Sequence, residues 1–370
     1  MCSPRPSASP ARLRAAGFTL IELMVGMLIG LLATLAVTHV LVNSEGQKRT
    51  TTSGSDAQVN GALALGILHR AVQSAGYGFT ALPAVVGCPL VANYGGAPAG
   101  MPGTLVPVMI TDGGAAGASD TIRVLSSGKR TFSVPLRVTA PGRAATETMT
   151  PLVTTRGVEG GDLMIVATDS VAPCEMFRVT AIDSAKAQVT ADDSAWDPPA
   201  GPGAFAEGAF VINMGVPLDV TYEIEENALR STTLHVDAAG KPAYDAAPVE
   251  LFNNVVNMQA LYGKDSDGNG SIDRWDVTTP ATNADWLRVV AVRVALVARS
   301  DQFEKEDVTF VNPDWDVGAA ATVDDSTGAT AACGTSKCLK LKIDTLPNWK
   351  RYRYRVFDTV IPLRNMLWNS

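Results

Sequence analysis

Residues 18–42 read FTLIELMVGMLIGLLATLAVTHVLV. An α-helix needs about 20 mostly apolar residues to cross the hydrocarbon core of a bilayer. Inside lipid every backbone amide and carbonyl must find an internal partner, so this run has to be helical. It holds one acid, Glu22, and one histidine, His39, with Lys48 and Arg49 just beyond it. Ahead of it stand Arg5, Arg12 and Arg14 and no acidic residue. A secretory signal places its apolar core before a small-residue cleavage site. Here the small residue, Gly17, precedes the apolar run, so a cut at Gly17 leaves the membrane segment in the product.

A carboxylate deep in a lipid-facing helix costs a few kcal/mol on insertion scales of about 2.5–3.5. Glu22 is therefore expected to serve a partner, a protonated or snorkelling glutamate being the alternative, whereas His39 reads as an interfacial residue. Residues 44–54 are polar, and Thr50–Gly54 is poor helix material, which predicts a kink or a melted turn. Helical periodicity then returns. Val59, Leu63, Ile67 and Ala71 fall at four-residue spacing, and Leu65, Leu68 and Val72 widen the stripe. Gly76-Tyr77-Gly78 ends the helix. This divides the chain into a leader (1–17), a transmembrane helical part (18–43), an amphipathic half of the same helix (44–76) and a domain spanning 77–370.

That last domain is rich in Gly, Pro, Thr and Val, with short apolar runs between turn clusters. Expected strands are Leu105–Ile110, Thr121–Leu125, Asp162–Ala167, Ala209–Asn213, Val220–Glu225 and Leu229–Val236. Leu287–Ala298 is rich in β-branched residues and reads as a central strand. Arg351–Ile361 alternates basic with aromatic or apolar residues, predicting a strand with one solvated face. Residues 87–103 and 194–208 read as surface loops. The fold class is α+β: one long N-terminal helix followed by a large β-rich domain.

Residues 265–276 form an Asp-rich loop. Calcium prefers six to eight oxygen ligands on a tight loop, with a glycine at the sharp turn. Asp265, Asp267 and Asn269 occupy ligand positions, Gly270 the turn, Ser271 offers its carbonyl, and Asp273 binds directly or through water. Asp276 stands where an EF-hand has glutamate, and its arm is shorter. Tyr262-Gly263 and Val277–Pro280 do not resemble flanking helices. A solvated Asx/Gly turn is the alternative to a calcium site.

Cys2 lies in the leader, which leaves Cys88, Cys174, Cys333 and Cys338 in a domain read as exported. Cys333 and Cys338 enclose only Gly-Thr-Ser-Lys and form the expected small clasp; Cys88 with Cys174 follows by elimination. Four reduced, buried thiols are the alternative. The formal net charge is −7, and loss of the three leader arginines leaves −10. An acidic domain is a poor nucleic-acid binder. His39, His69 and His235 are the only histidines; none has metal-ligand spacing or a nearby nucleophile motif, so no enzyme is expected.

Residues 15–22, Ala-Ala-Gly-Phe-Thr-Leu-Ile-Glu, resemble the cleavage and methylation signature of type IV prepilins. The resemblance implies cleavage after Gly17 by a prepilin peptidase, N-methylation of Phe18, and a role for Glu22 in subunit assembly, paired with the N-terminal amine of a neighbouring subunit. The 262–274 loop, Asp285-Trp286, the Val292–Ser300 run and the ending Tyr354–Asn365 together resemble PilW-type minor pilins. That family implies priming of a type IV pilus, with a place at or near its tip. The implied partners are other minor pilins, the major pilin, an inner-membrane assembly platform and a tip adhesin. The implied location is the inner membrane with the domain in the periplasm, then the pilus. A J-type pseudopilin of type II secretion and a membrane-anchored enzyme are the alternatives. Residues 85–245 resemble nothing nameable.

Overall fold

The computed structural model describes residues 17–95, 97–114, 117–129, 134–141, 149–168, 172–191, 196, 205–321 and 331–367. The leader arginines, Cys2 and most of the 194–208 loop lie outside them, as do the side chains of Lys48 and Arg49. The chain divides into two compact units, Met1–Thr52 and Ser53–Ser370.

A helix, Leu20–Ser74, begins in the first unit and ends in the second. The expected melted turn at Thr50–Gly54 is absent, since these residues are helical. Propagating a formed helix adds one hydrogen bond per residue fixed, which offsets the weak propensity of a few threonines and one glycine. In the first unit, Leu20–Val42 is a 23-residue segment long and apolar enough to cross a membrane. Its side chains are exposed throughout.

In the second unit the helix lies on a four-stranded antiparallel sheet. The strands run in the order Arg274–Asp276, Val255–Lys264, Val289–Arg299, Tyr354–Pro362. Ala64, Leu68, Val72 and Ala75 share one core with Met258, Ala260, Val292, Val294, Leu296 and Ile361. The buried stripe differs from the expected one. Val59 and Leu63 are exposed, while Ala57, Gly61 and Ala64 face inward. Small residues win because they admit close approach: a Cβ on Gly61 would sit inside the ring of Phe357. Burial of Leu68 alone contributes about 1.5–3 kcal/mol.

The helix ends where expected, at Gly76, whose φ is +78°. Its last carbonyls are capped from the other end of the chain. Asn365 Nδ2 donates to the carbonyls of Ser74 (3.2 Å) and Ala75 (2.9 Å). Capping of this kind satisfies acceptors that a helix terminus otherwise leaves without a partner.

Val289–Arg299 is the central strand that its composition predicts, paired on both edges. Tyr354–Pro362 departs from expectation. Instead of one solvated face, it sits between layers: Ile361 packs into the helix-side core and Val356 against the opposite one, which contains Trp315 and Leu339. Expected strands at 121, 162, 209, 220 and 229 appear with their ends moved by one or two residues. The expected Leu105–Ile110 strand is displaced to Val108–Thr111, because Pro107 has no N–H for a ladder. Two ten-residue strands, Cys174–Asp183 and Val255–Lys264, escaped the sequence reading. Val255–Lys264 is covered on both faces and so shows no alternation.

A six-stranded sheet built on Thr121–Ser126 and Leu218–Glu225 adjoins the first, and a seven-stranded sheet carries Leu163–Ala167 and Cys174–Asp183. Buried polar groups brace these sheets, within a sheet and between them. Arg123 binds Asp219 through two nitrogens (2.8 and 2.6 Å), and Tyr244 donates to the same carboxylate at 2.7 Å. Lys129 and Asp162, both nearly buried, pair at 3.0 Å, and Asn213 donates to Asp162.

Asp120 is 1% exposed and accepts from the amides of Gly113 (3.0 Å) and Ala260 (2.7 Å), tying the second sheet to the first. Burial pushes its carboxyl up to about 7, against the pull of those two amides. A raised carboxyl pKa means the folded form keeps its proton across the window from 3.8 to about 7, and stability is lost as pH rises through it. Asn in its place keeps one amide bond at most and does not titrate. Asp120→Asn should therefore cost about 1–3 kcal/mol near pH 4, with the penalty shrinking toward pH 7. Urea melts of the detergent-solubilised chain across that range measure it; a penalty independent of pH contradicts the assignment.

Candidate functional site

The chemistry-bearing residues fall at two places. At the N-terminus, Thr19 caps the long helix and Glu22 answers it. Glu22 Oε2 accepts from the Thr19 amide at 3.0 Å and from Thr19 Oγ1 at 2.8 Å, and the Glu22 amide donates back to Thr19 Oγ1 at 3.3 Å. This is a capping box, with two orphan donors satisfied reciprocally. The Thr-x-x-Glu spacing stood in the sequence and would have revealed it. Glu22 thus has a partner within its own chain, and its Oε1 takes no part in the box. Gly17 and Phe18 precede the helix, and Phe18 is 87% exposed.

The second place is the acidic loop. It leaves the Val255–Lys264 strand and returns through Arg274–Asp276, so it is the turn of a hairpin. Asp265 is 3% exposed and organises the turn. Its Oδ1 accepts from the amides of Gly268 (2.7 Å) and Asn269 (3.1 Å), and its Oδ2 from Gly270 (2.8 Å). Burial pushes its carboxyl up, and the three amides more than offset that, so it ends below the usual carboxylate range. Gly268 and Gly270 both have positive φ, which a turn this tight requires.

Asp265, Asp267 and Asp273 each bring one carboxylate oxygen within 4.8 Å of the others. Asp273 also accepts from Ser266 N and Oγ. Asn269 Oδ1 accepts the amide of Ser271 at 2.8 Å. Asp276 stands apart from this cluster. It is 1% exposed, bonded to Lys264 Nζ at 2.7 Å and ion-paired to Arg274 Nε at 2.7 Å. Its place is on the strand, one hairpin arm away, because no helix follows the loop to swing it back.

The cysteines are joined as Cys88–Cys174 and Cys333–Cys338, with Cα separations of 6.0 and 5.6 Å. The first ties the segment after the long helix to the seven-stranded sheet. The second clasps a hairpin whose Ser336 Oγ donates to Asp316. His39 lies in the apolar segment, and His235 is bonded to Asp245 at 2.8 Å. In the Asp285-Trp286 pair, Trp286 is buried edge-on to Tyr262, and Thr282 caps the short helix Asn283–Leu287 by accepting from the Asp285 amide. Asn365 drew notice only as part of a C-terminal pattern; its capping role follows from the tertiary fold.

Replacing Asp265 by Ala removes the acceptor for three consecutive loop amides. Amide hydrogen exchange at Gly268, Asn269 and Gly270 should then speed up by at least about tenfold. Asp276→Ala should leave these three amides unchanged, whereas acceleration in both variants would mean that the loop depends on the strand pair and not on Asp265.

Comparison with known proteins fits both ends of the chain. The family model for Type IV Pilus-assembly protein W matches residues 221–365, and the model for the prokaryotic N-terminal methylation motif matches residues 12–38. No curated protein matches. Among solved structures, a type IV-like pilin from Thermus thermophilus is similar, at 13% identity and a TM-score of 0.22, over 56% of this chain and 85% of that one. The motif match takes in Gly17, Phe18 and Glu22, and the PilW match takes in the acidic loop, the central strand and Asn365. The chain thus resembles prepilins at its N-terminus, through the methylation motif, and Type IV Pilus-assembly protein W over residues 221–365.

Proposed function

We propose that this chain is a minor pilin that primes assembly of a type IV pilus and is carried at or near its tip. The observation that supports this most is the union of two features in one chain. A prepilin-type segment opens the helix, and a PilW-type domain is fastened to the end of the same helix by Asn365. In this reading the peptidase cuts after Gly17, Phe18 is N-methylated, and the domain faces the periplasm until the subunit is lifted out. Glu22 keeps its helix capped through Thr19 and offers its carboxylate to the N-terminal amine of a neighbour, a pairing favoured by the low dielectric of lipid. The work is mechanical: helices gather in the inner membrane with other minor pilins, and an assembly platform raises them as major subunits join beneath.

The loop is the second part of the proposal. Three clustered carboxylates, the Asn269 carbonyl oxygen and the Ser271 backbone carbonyl form an all-oxygen donor set on a turn already tightened by Asp265, which suits calcium. With Asp276 committed to Lys264 and Arg274, water fills the remaining positions. Millimolar calcium should raise the melting temperature of the full chain, and Asp265→Ala should abolish the gain. An equal gain in that variant removes the site.

Deletion of the gene tests the assembly role. Sheared surface pili, measured by blotting the major pilin, should be lost while type II cargo secretion stays normal. Normal pili with lost secretion would assign the chain to the J-type pseudopilins instead.

A further inference from the structure

Outside residues 18–42, the two most exposed large hydrophobic side chains among the described residues are Phe310 and Val311, at 69% and 73%. Phe303, at 54%, shares their loop. This loop, residues 301–313, is not left loose. The Glu304 amide donates to the Arg351 carbonyl (2.7 Å), the Thr309 amide to that of Lys350 (2.9 Å), and Ser300 to that of Arg353 (2.8 Å). Phe303 also meets Tyr352 edge-on at 6.4 Å. Apolar side chains held in water by a structured backbone mark an interaction surface.

The position of this patch within the domain follows from three contacts. Phe357 lies against Gly61, and Asn365 caps Ser74 and Ala75, so the Tyr354–Pro362 strand runs parallel to the helix. Residues before Phe357 therefore lie toward the helix's N-terminal side of the domain. Asn60 bonds Asn253 at 2.7 Å, and the adjacent Asn254 bonds Asp301 at 3.0 Å, which brings the start of the loop to the same end. From that end the chain leads back to the apolar segment. The local charge is close to balanced: 301–313 holds Lys305 against Asp301, Glu304, Glu306 and Asp307, and 349–355 adds Lys350, Arg351, Arg353 and Arg355, in a chain of net −7. Lys305, Lys350 and Arg355 are exposed there, as are Asp301, Glu306 and Asp307, while Arg353 is paired with Glu304 at 2.9 Å.

We infer that this end of the domain rests on the bilayer surface before assembly, with Phe303, Phe310 and Val311 among the lipid headgroups and the neighbouring cations on headgroup phosphates. Phe on an interfacial segment buries at the headgroup boundary, and basic residues near it are attracted where the leaflet is anionic. The single anchoring helix supplies the proximity, so a weak patch suffices. The inference rests on the reading that residues 20–42 cross the membrane.

The test uses the full chain, with Cys2 replaced by Ser, reconstituted in nanodiscs containing phosphatidylglycerol. A fluorophore is attached in turn at Val311→Cys, Val153→Cys and Leu31→Cys. Headgroup spin-labelled lipid should quench the probe at 311 and spare the one at 153, while acyl-chain brominated lipid quenches the one at 31. Adding Phe303→Ser and Phe310→Ser should lower quenching at 311 by about threefold, in line with the apolar area removed, without moving the melting temperature. Quenching at 31 with none at 311 overturns the inference and leaves the anchor intact. Quenching at neither position overturns both. A concentration-dependent blue shift at 311 without headgroup quenching assigns the patch to a second copy of the chain and overturns the membrane contact.

Discussion

Everything in the second unit is referred to one contact, that of the long helix with the four-stranded sheet. Leu68 and Val72 supply the apolar area, and Gly61 sets the distance, because any side chain there would occupy the ring of Phe357. The contact is closed at its far end by Asn365, which joins the last strand to the helix terminus. The other layers are attached to this pair by directed polar bonds. Asp120 binds the Ala260 amide, and the Tyr262 hydroxyl accepts from Ile110 at 2.6 Å, so the second sheet is hung from the Val255–Lys264 strand. Such bonds are individually modest when satisfied and costly when broken, which makes them fix register more than stability.

The same arrangement explains how a helix can carry two unlike environments. Its first part shows apolar side chains on every side, as a lipid-facing helix does. Its later part buries only the narrow stripe that includes Ala57, Ala64, Leu68, Val72 and Ala75. The buried stripe together with the Asn365 cap fastens the domain to this later part of the helix. The acidic loop and the 301–313 loop are then presented by rigid strands at fixed places on the domain, a better basis for recognition than free chain.

Much of this was legible in residues. The apolar run, its glycine boundary and the Thr-x-x-Glu spacing are local signals, so the N-terminal segment could be read without a fold. The central strand was legible because its β-branched composition is strong over eleven residues. What could not be read depended on partners distant in sequence. The inward stripe of the helix was mistaken because hydrophobicity favoured Val59 and Leu63, while packing favoured Gly61 and Ala64 for their size. Asp276 seemed a loop ligand by count, and only the hairpin shows it turned to Lys264. Val255–Lys264 was invisible to a search for alternation because both of its faces are covered.

The proposed processing of this chain after Gly17 is tested most directly by the identity of its first residue. The chain should be purified from its native membrane and its N-terminal peptide mass measured. The expected peptide begins at Phe18 and carries one added methyl group on its amine. A peptide that begins ahead of Gly17, or one cut within the apolar run, would contradict it.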